Sequence, residues 1–262
     1  MNFLLLKLIL APSFVALASL AGRRWGLKIS GLVGTLPIVA GPILFFFALE
    51  QGTAFAAPAA QETLLGLVGF SAFAVVYGWT SRWWNIPVSV LISWSAFLLP
   101  NFFICRLDWP LWVSLAVGLA SLNLARFLLP ETKKTKSAAK SEKSVWDLPL
   151  RMTATALLVW GLTSLAQRLG PELSGVLTVF PIASTVLTGF AHYHHGGEGV
   201  ARLLRGVLMG MQAAALFCAS LSLTLIPWGI GWAFGVSLFI CALGQLVVLK
   251  LSGPVERVAR AR

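Results

Sequence analysis

The feature that most limits how this chain can fold is a series of long, unbroken apolar runs. They lie at about 3–20, 29–49, 63–80, 86–105, 109–129, 152–167, 173–192, 203–225 and 229–250. Runs near twenty residues match the length of helix needed to cross the ~30 Å hydrocarbon layer of a bilayer. A transmembrane barrel would instead alternate apolar and polar residues over strands of about ten. The runs therefore predict an all-α, polytopic membrane protein with about nine transmembrane helices. The fourth and fifth runs are separated only by Arg106, Leu107 and Asp108, with Pro100 and Pro110 placed to end one helix and begin the next. Trp25, Trp79, Trp83, Trp84, Trp109, Trp146 and Trp228 fall near run ends, where indole favours a bilayer interface.

Composition agrees. Charged residues are 11% of the chain and mean hydropathy is +0.84, against about 25% charged residues in soluble domains. The net charge of +11 is spread over the loops between runs, so it reads as topology and not as a nucleic-acid surface. With nine spans, Lys7, Arg106 and Arg168 fall on one side and the other 17 basic residues on the opposite side. Basic residues accumulate on the cytoplasmic face. The expected topology is N-terminus outside and C-terminus cytoplasmic, in a bacterial inner membrane. The first run could also be read as a signal peptide, but Lys7 is its only charge and the repeat described next needs it.

The chain carries an internal duplication. Ser19–Gly52 reads SLAGRRWGLKISGLVGTLPIVAGPILFFFALEQG, and Ser164–Gly196 reads SLAQRLGPELSGVLTVFPIASTVLTGFAHYHHG. One single-residue gap aligns SLA-x-R, Ser30–Gly31 with Ser174–Gly175, Pro37 with Pro181, and Gly52 with Gly196. The expected organisation is a first repeat at 1–105, a connecting transmembrane helix at 106–130, a Lys- and Ser-rich cytoplasmic linker at 131–147, a second repeat at 148–251 and a tail at 252–262. An odd number of spans precedes the second repeat, so it should sit inverted. The fold expectation is two inverted four-helix repeats plus one connecting helix, an arrangement that recurs in secondary transporters.

The segment Glu172–Leu251, through LSGVLTVFPIASTVLTGFAHYHHG and the Gly/Ala-rich helix that follows, resembles the GlpM-type bacterial inner-membrane proteins. KISGLVGTLPIVAGPILFFFALEQG resembles a second, more diverged copy. Family members are single four-helix units, so the resemblance is to a fused pair. It implies an accessory role in envelope or polysaccharide production. The layout is also similar to the drug/metabolite transporter type of inverted repeat, a likeness of architecture alone.

Candidate functional residues follow from the matched prolines. A proline inside a helix frees the carbonyl four residues earlier, here Val33 or Leu177. Gly34, Thr35, Pro37 and Gly41 in one copy, and Thr178, Pro181, Ser184 and Thr185 in the other, are the candidate substrate-binding residues. Paired interrupted helices mark the central site of many carriers. Small residues at the same places also serve close helix packing. Glu50, His192, His194 and His195 are weaker candidates for proton coupling, as groups that titrate near neutral pH or can be shifted there; solvated helix ends explain them equally. Asn123, Gln212 and Gln245 are candidates for hydrogen bonds between helices.

The sequence has no nucleotide-binding loop and no HExxH or GxSxG motif, and nothing in it points to catalysis, a cofactor or a metal. Cys105, Cys218 and Cys241 are far apart, without metal-site spacing. The expected partners are the lipid bilayer and a small neutral or amphipathic solute, with a homodimer compatible and no nucleic acid. The function expected from the sequence is a secondary transporter or exporter.

Overall fold

A computed structural model describes residues 40–104, 107, 109–132, 148–157 and 180–252, with short groups between 12 and 27. It is about 90% helical, and the described residues contain no strand. We number the helices α1 (Ala40–Glu50), α2 (Thr53–Thr80), α3 (Ile86–Ile104) and α4 (Leu111–Leu128). The trace Ile182–Ser252 departs from helical geometry at Gly196 and Gly229. Its three pieces are α5 (182–195), α6 (197–228) and α7 (230–252). Among the described residues, α2, α3, α4 and the trace Ile182–Val248 are long and apolar enough to cross a membrane.

Local chemistry sets the breaks. Gly52 (φ 86°, ψ 166°) and Gly196 (φ 61°, ψ −167°) occupy backbone conformations essentially closed to residues with a Cβ. These two glycines are partners in the sequence duplication. After α2, the chain turns through Ser81–Trp84, and Asn85 Oδ1 accepts the Val88 N–H at 3.2 Å to begin α3. Pro110, in extended conformation (ψ 145°), precedes α4 as the sequence anticipated, whereas Pro100, expected to end the preceding helix, lies inside α3, which runs on to Ile104.

α2 is the hub of the fold and packs against each of the other six helices or the trace that holds them. Close approach is built from small residues. A Cβ on Gly69 would lie 2.5 Å from the Phe97 carbonyl oxygen of α3, and one on Gly118 of α4 would lie 2.9 Å from the Leu64 carbonyl oxygen. α2 and α4 run side by side in the same direction: Ser71 meets Ser121, and the Trp79 indole donates to Leu128 O at 2.9 Å. α6 runs against both. Arg205 donates to Thr132 Oγ1 and Pro130 O, beyond the C-terminus of α4, and Gln212 Nε2 donates to Asn123 Oδ1 at 3.0 Å. The Asn123–Gln212 bond is the kind of interhelical link expected from the sequence. Outward faces carry large apolar side chains such as Trp112, Phe127, Trp232 and Phe239, the inverse of a water-soluble surface.

One end of the molecule gathers the charges. Arg82 donates to Glu131 O at 2.7 Å, Arg205 grips the Leu129–Thr132 segment, and Arg202 pairs with Glu198 at 3.6 Å. This is the arginine-rich end. At the opposite end Gln61 Nε2 donates to Trp109 O at 2.6 Å, just ahead of α4. Gln61 and Arg205 are equivalent positions of the duplication register, and they hold opposite ends of the same helix.

The structure revises two boundaries. α2 begins at Thr53, ten residues before the apolar run at 63–80 suggested. Its 28 residues make a rod of ~42 Å, longer than a hydrocarbon layer of ~30 Å. The stretch after Glu62 is close to that length, and 53–62 is an alanine-rich segment set off from it by Gln61 and Glu62, so the hydropathy pattern marked only part of the helix. Pro181 was expected inside a helix. It lies instead in the non-helical pair Phe180–Pro181, and α5 starts at Ile182. The ring denies the helix a backbone donor at that point, and Pro181 O takes the first-turn N–H of Thr185 at 2.7 Å.

Candidate functional site: a polar lane along α5

Pro181, Ser184 and Thr185 are all buried at the start of α5. Phe180 packs edge-on against Trp94 and Phe97 of α3, at 5.1 and 5.3 Å between ring centres. The Trp94 indole N–H reaches across to Thr185 Oγ1 at 3.1 Å, while the Thr185 hydroxyl donates to Pro181 O at 2.7 Å. Thr185 thus ties the broken start of α5 to α3. With α5 only fourteen residues long, or ~21 Å, its start lies well inside the body and not at a surface.

A face of α5 continues from this point towards the arginine-rich end. Thr188, at the next turn, is fully buried and donates to Ser184 O at 2.7 Å. One turn further, the His192 ring meets the Tyr77 ring of α2 edge to face at 6.2 Å. Tyr77 is itself fully buried. Its hydroxyl neighbours Thr188 but makes no hydrogen bond of acceptable geometry, and His192 Nδ1 is likewise buried without a partner. Thr185, Thr188 and His192 recur at i, i+3 and i+7, so one stripe of the helix carries them all. The stripe is a lane of hydroxyl, indole, phenol and imidazole groups through an apolar core. It can bind by hydrogen bonding and can hold a proton, and it carries no fixed charge.

Asn101 is a second polar anomaly. It is 0% exposed, pressed against Gly69 of α2, and neither its Oδ1 nor its Nδ2 has a hydrogen-bond partner. It lies one turn along α3 from Phe97, and so one turn from the Phe180 contact.

The remaining sequence candidates distribute unevenly. Gly41 is buried on α1, and its open side faces the Phe217 ring of α6, 3.8 Å from where a Cβ would stand. Gly34, Thr35, Pro37 and Thr178, with the carbonyls of Val33 and Leu177, lie outside the described residues. Glu50 closes α1. Of the three histidines, His192 and His195 are half-buried and His194 is exposed beside Phe190 and Tyr193; His192 is set apart by its ring contact with Tyr77 and its buried Nδ1. A solvated reading therefore suits His194 but not His192. Tyr77, Trp94, Asn101 and Thr188 were missed by sequence reasoning. Of these, Thr188 had a legible signal, lying one turn beyond Ser184 and Thr185 on the same stripe.

The duplication register makes the lane one-sided. Thr185, Thr188 and His192 of α5 correspond to Gly41, Leu44 and Ala48 of α1, and Tyr77 of α2 to Leu221 of α6. Leu44, Ala48 and Leu221 are all buried. On α5 the second sequence copy thus carries polar groups at positions where the first carries glycine or aliphatic ones.

Comparison with protein-family models, curated proteins and solved structures returned no match.

Proposed function

We propose that the protein is a secondary transporter or exporter of a small neutral or amphipathic solute, embedded in a bacterial inner membrane. The observation that carries this reading is the non-helical pair Phe180–Pro181 ahead of the buried start of α5, continued by the polar lane of Thr185, Thr188, Tyr77 and His192. Irregular backbone within an apolar body is tolerated where it is covered by protein or lines a polar path, and interrupted helices with such surroundings are where carriers bind. The site proposed is the set Gly34, Thr35, Pro37, Gly41, Thr178, Pro181, Ser184 and Thr185, at the interface of two inverted repeats within nine spans.

Three features support the inverted arrangement. Gly52 and Gly196, equivalent in the duplication, share one rare backbone geometry. α2 and α6, equivalent in the same register, run in opposite directions against α4. Gln61 and Arg205 then attach to opposite ends of that helix. The concentration of arginines at one end supports a cytoplasmic assignment for it.

The test is solute movement by purified protein in liposomes, with a panel of neutral amino acids, hexoses and cationic dyes. Transport predicts saturable flux that Ser184→Leu abolishes while the protein still inserts. A protein that moves nothing in the panel, and co-purifies with a larger envelope assembly, would fit the accessory role that the GlpM resemblance implies.

A further inference from the structure

Resting on the transporter reading, we propose that His192 is the proton-binding residue of the carrier, and that protons reach it from the arginine-rich end and move with the solute. Geometry carries the assignment. His192 is half-buried, with its Nδ1 shielded from solvent and its ring set against the buried ring of Tyr77. Two polar atoms there are buried with nothing to bond, His192 Nδ1 and the Tyr77 hydroxyl. A buried group without a partner is costly, and such groups are rare unless another state of the molecule or another bound species satisfies them. A proton changes the pairing available: Nδ1 becomes a donor, and the oxygen of the adjacent Tyr77 hydroxyl is the acceptor at hand. The proton adds to Nδ1 from water, turning the imidazole into an imidazolium whose N–H can then be donated.

The path has two ends. His192 is one turn from Gly196, where the backbone bends and α6 begins at the arginine-rich end. In the other direction Thr188 and Thr185 lead back to Pro181. A change of charge on His192 would therefore be felt along the hydroxyl stripe that ends at the proposed solute site. The charged and titratable groups around it are Tyr77 of α2, Arg82 just past the end of α2, Glu198 and Arg202 of α6, Arg151 over the Phe190 ring, and His194 and His195 on α5 itself. In the other arm of the duplication, Ala48 stands where His192 does and Leu221 where Tyr77 does. In this register the candidate proton-binding group has no counterpart in the first sequence copy.

Two measurements decide this. In the first, H194Q/H195Q protein, whose only histidine is His192, is labelled with 15N-histidine in lipid nanodiscs and followed by NMR from pH 5 to 9. The expected result is a ring that passes from neutral to doubly protonated within that range, with a midpoint displaced by Tyr77→Phe. A ring that keeps one neutral tautomer throughout overturns the proposal, whatever the protein transports. In the second, liposomes loaded with a pH-sensitive dye receive each solute of the panel in radiolabelled form. The expected result is proton movement in step with the transported solute, and a proton-to-solute ratio at least tenfold lower in H192Q. Solute flux with no proton movement in the wild type overturns the coupling and leaves the transporter reading intact. Absence of any solute flux overturns both.

Discussion

Gly69→Ala places one methyl group in a close backbone contact between α2 and α3, and the structure gives both opposing effects a size. In an isolated helix the change would be favourable by about 1 kcal/mol, because alanine loses less backbone entropy than glycine. Here the new carbon would stand 2.5 Å from the Phe97 carbonyl oxygen and closer still to the Asn101 amide. Ordinary contact begins at 3.4 Å, so α2 and α3 must part by the difference, about 0.9 Å. Neither backbone can give way as a flexible side chain would. Overpacking of a close contact costs about 1–3 kcal/mol, and the separation also loosens the Phe97–Phe180 stack one turn away. The packing loss exceeds the propensity gain, and a net destabilisation of about 1–2 kcal/mol is expected. Gly231→Ala and Gly235→Ala on α7 are the controls, since a Cβ at either position meets nothing within 4 Å. The assay is loss of monodisperse protein on heating in detergent, followed by size-exclusion chromatography. Gly69→Ala should lower the midpoint while the two controls leave it unchanged or raise it. A Gly69→Ala protein as stable as the controls would refute the close packing of α2 on α3.

Other outcomes follow from single contacts. Gly52→Ala and Gly196→Ala should each cost about 1–3 kcal/mol, because both sites hold positive φ with extended ψ; equal losses in the same heating assay are the expected result, and a neutral substitution at either site would contradict that backbone. Trp94→Phe keeps the ring against Phe180 but removes the bond to Thr185, so stability should fall by about 1 kcal/mol, whereas Trp112→Phe, on an exposed face, should change nothing. Reporter fusions after Gly52 and within the 131–147 linker should report opposite sides of the membrane, and a shared side would break the nine-span topology.

The helical class and the positions of α3, α4, α6 and α7 were legible in the sequence because an apolar run records where a helix is shielded from water. Such a run does not record the helix itself, which is why the alanine-rich segment 53–62 of α2, cut off from the run by Gln61 and Glu62, was invisible. Gly52 and Gly196 were legible as positions that only glycine fills because such a conformation is closed to residues with a Cβ. Pro181, Ser184 and Thr185, marked in the sequence as candidate binding residues, are buried, but their contacts were not legible. The Trp94–Thr185 bond joins residues far apart in the chain, and a tryptophan in a membrane helix usually signals nothing beyond an interface. Tyr77 and Asn101 gain their meaning only from being buried without partners, a property of packing. His192 was indistinguishable from His194 and His195 in sequence; helical phase relative to α2 separates them.

The paired grips on α4 carry a mechanical consequence. Gln61 holds its leading end and Arg205 its trailing end, while Trp79 of α2 and Gln212 of α6 fasten the same rod along its length. A helix is stiff along its axis, so the distance between those attachments is set by the rod. α2 and α6 cannot slide past each other like pistons without tearing one attachment loose. They can swing about the rod with every attachment kept. If the two arms move during a cycle, α4 is the axle on which they turn, and lengthening it by a turn should jam the motion without unfolding either arm.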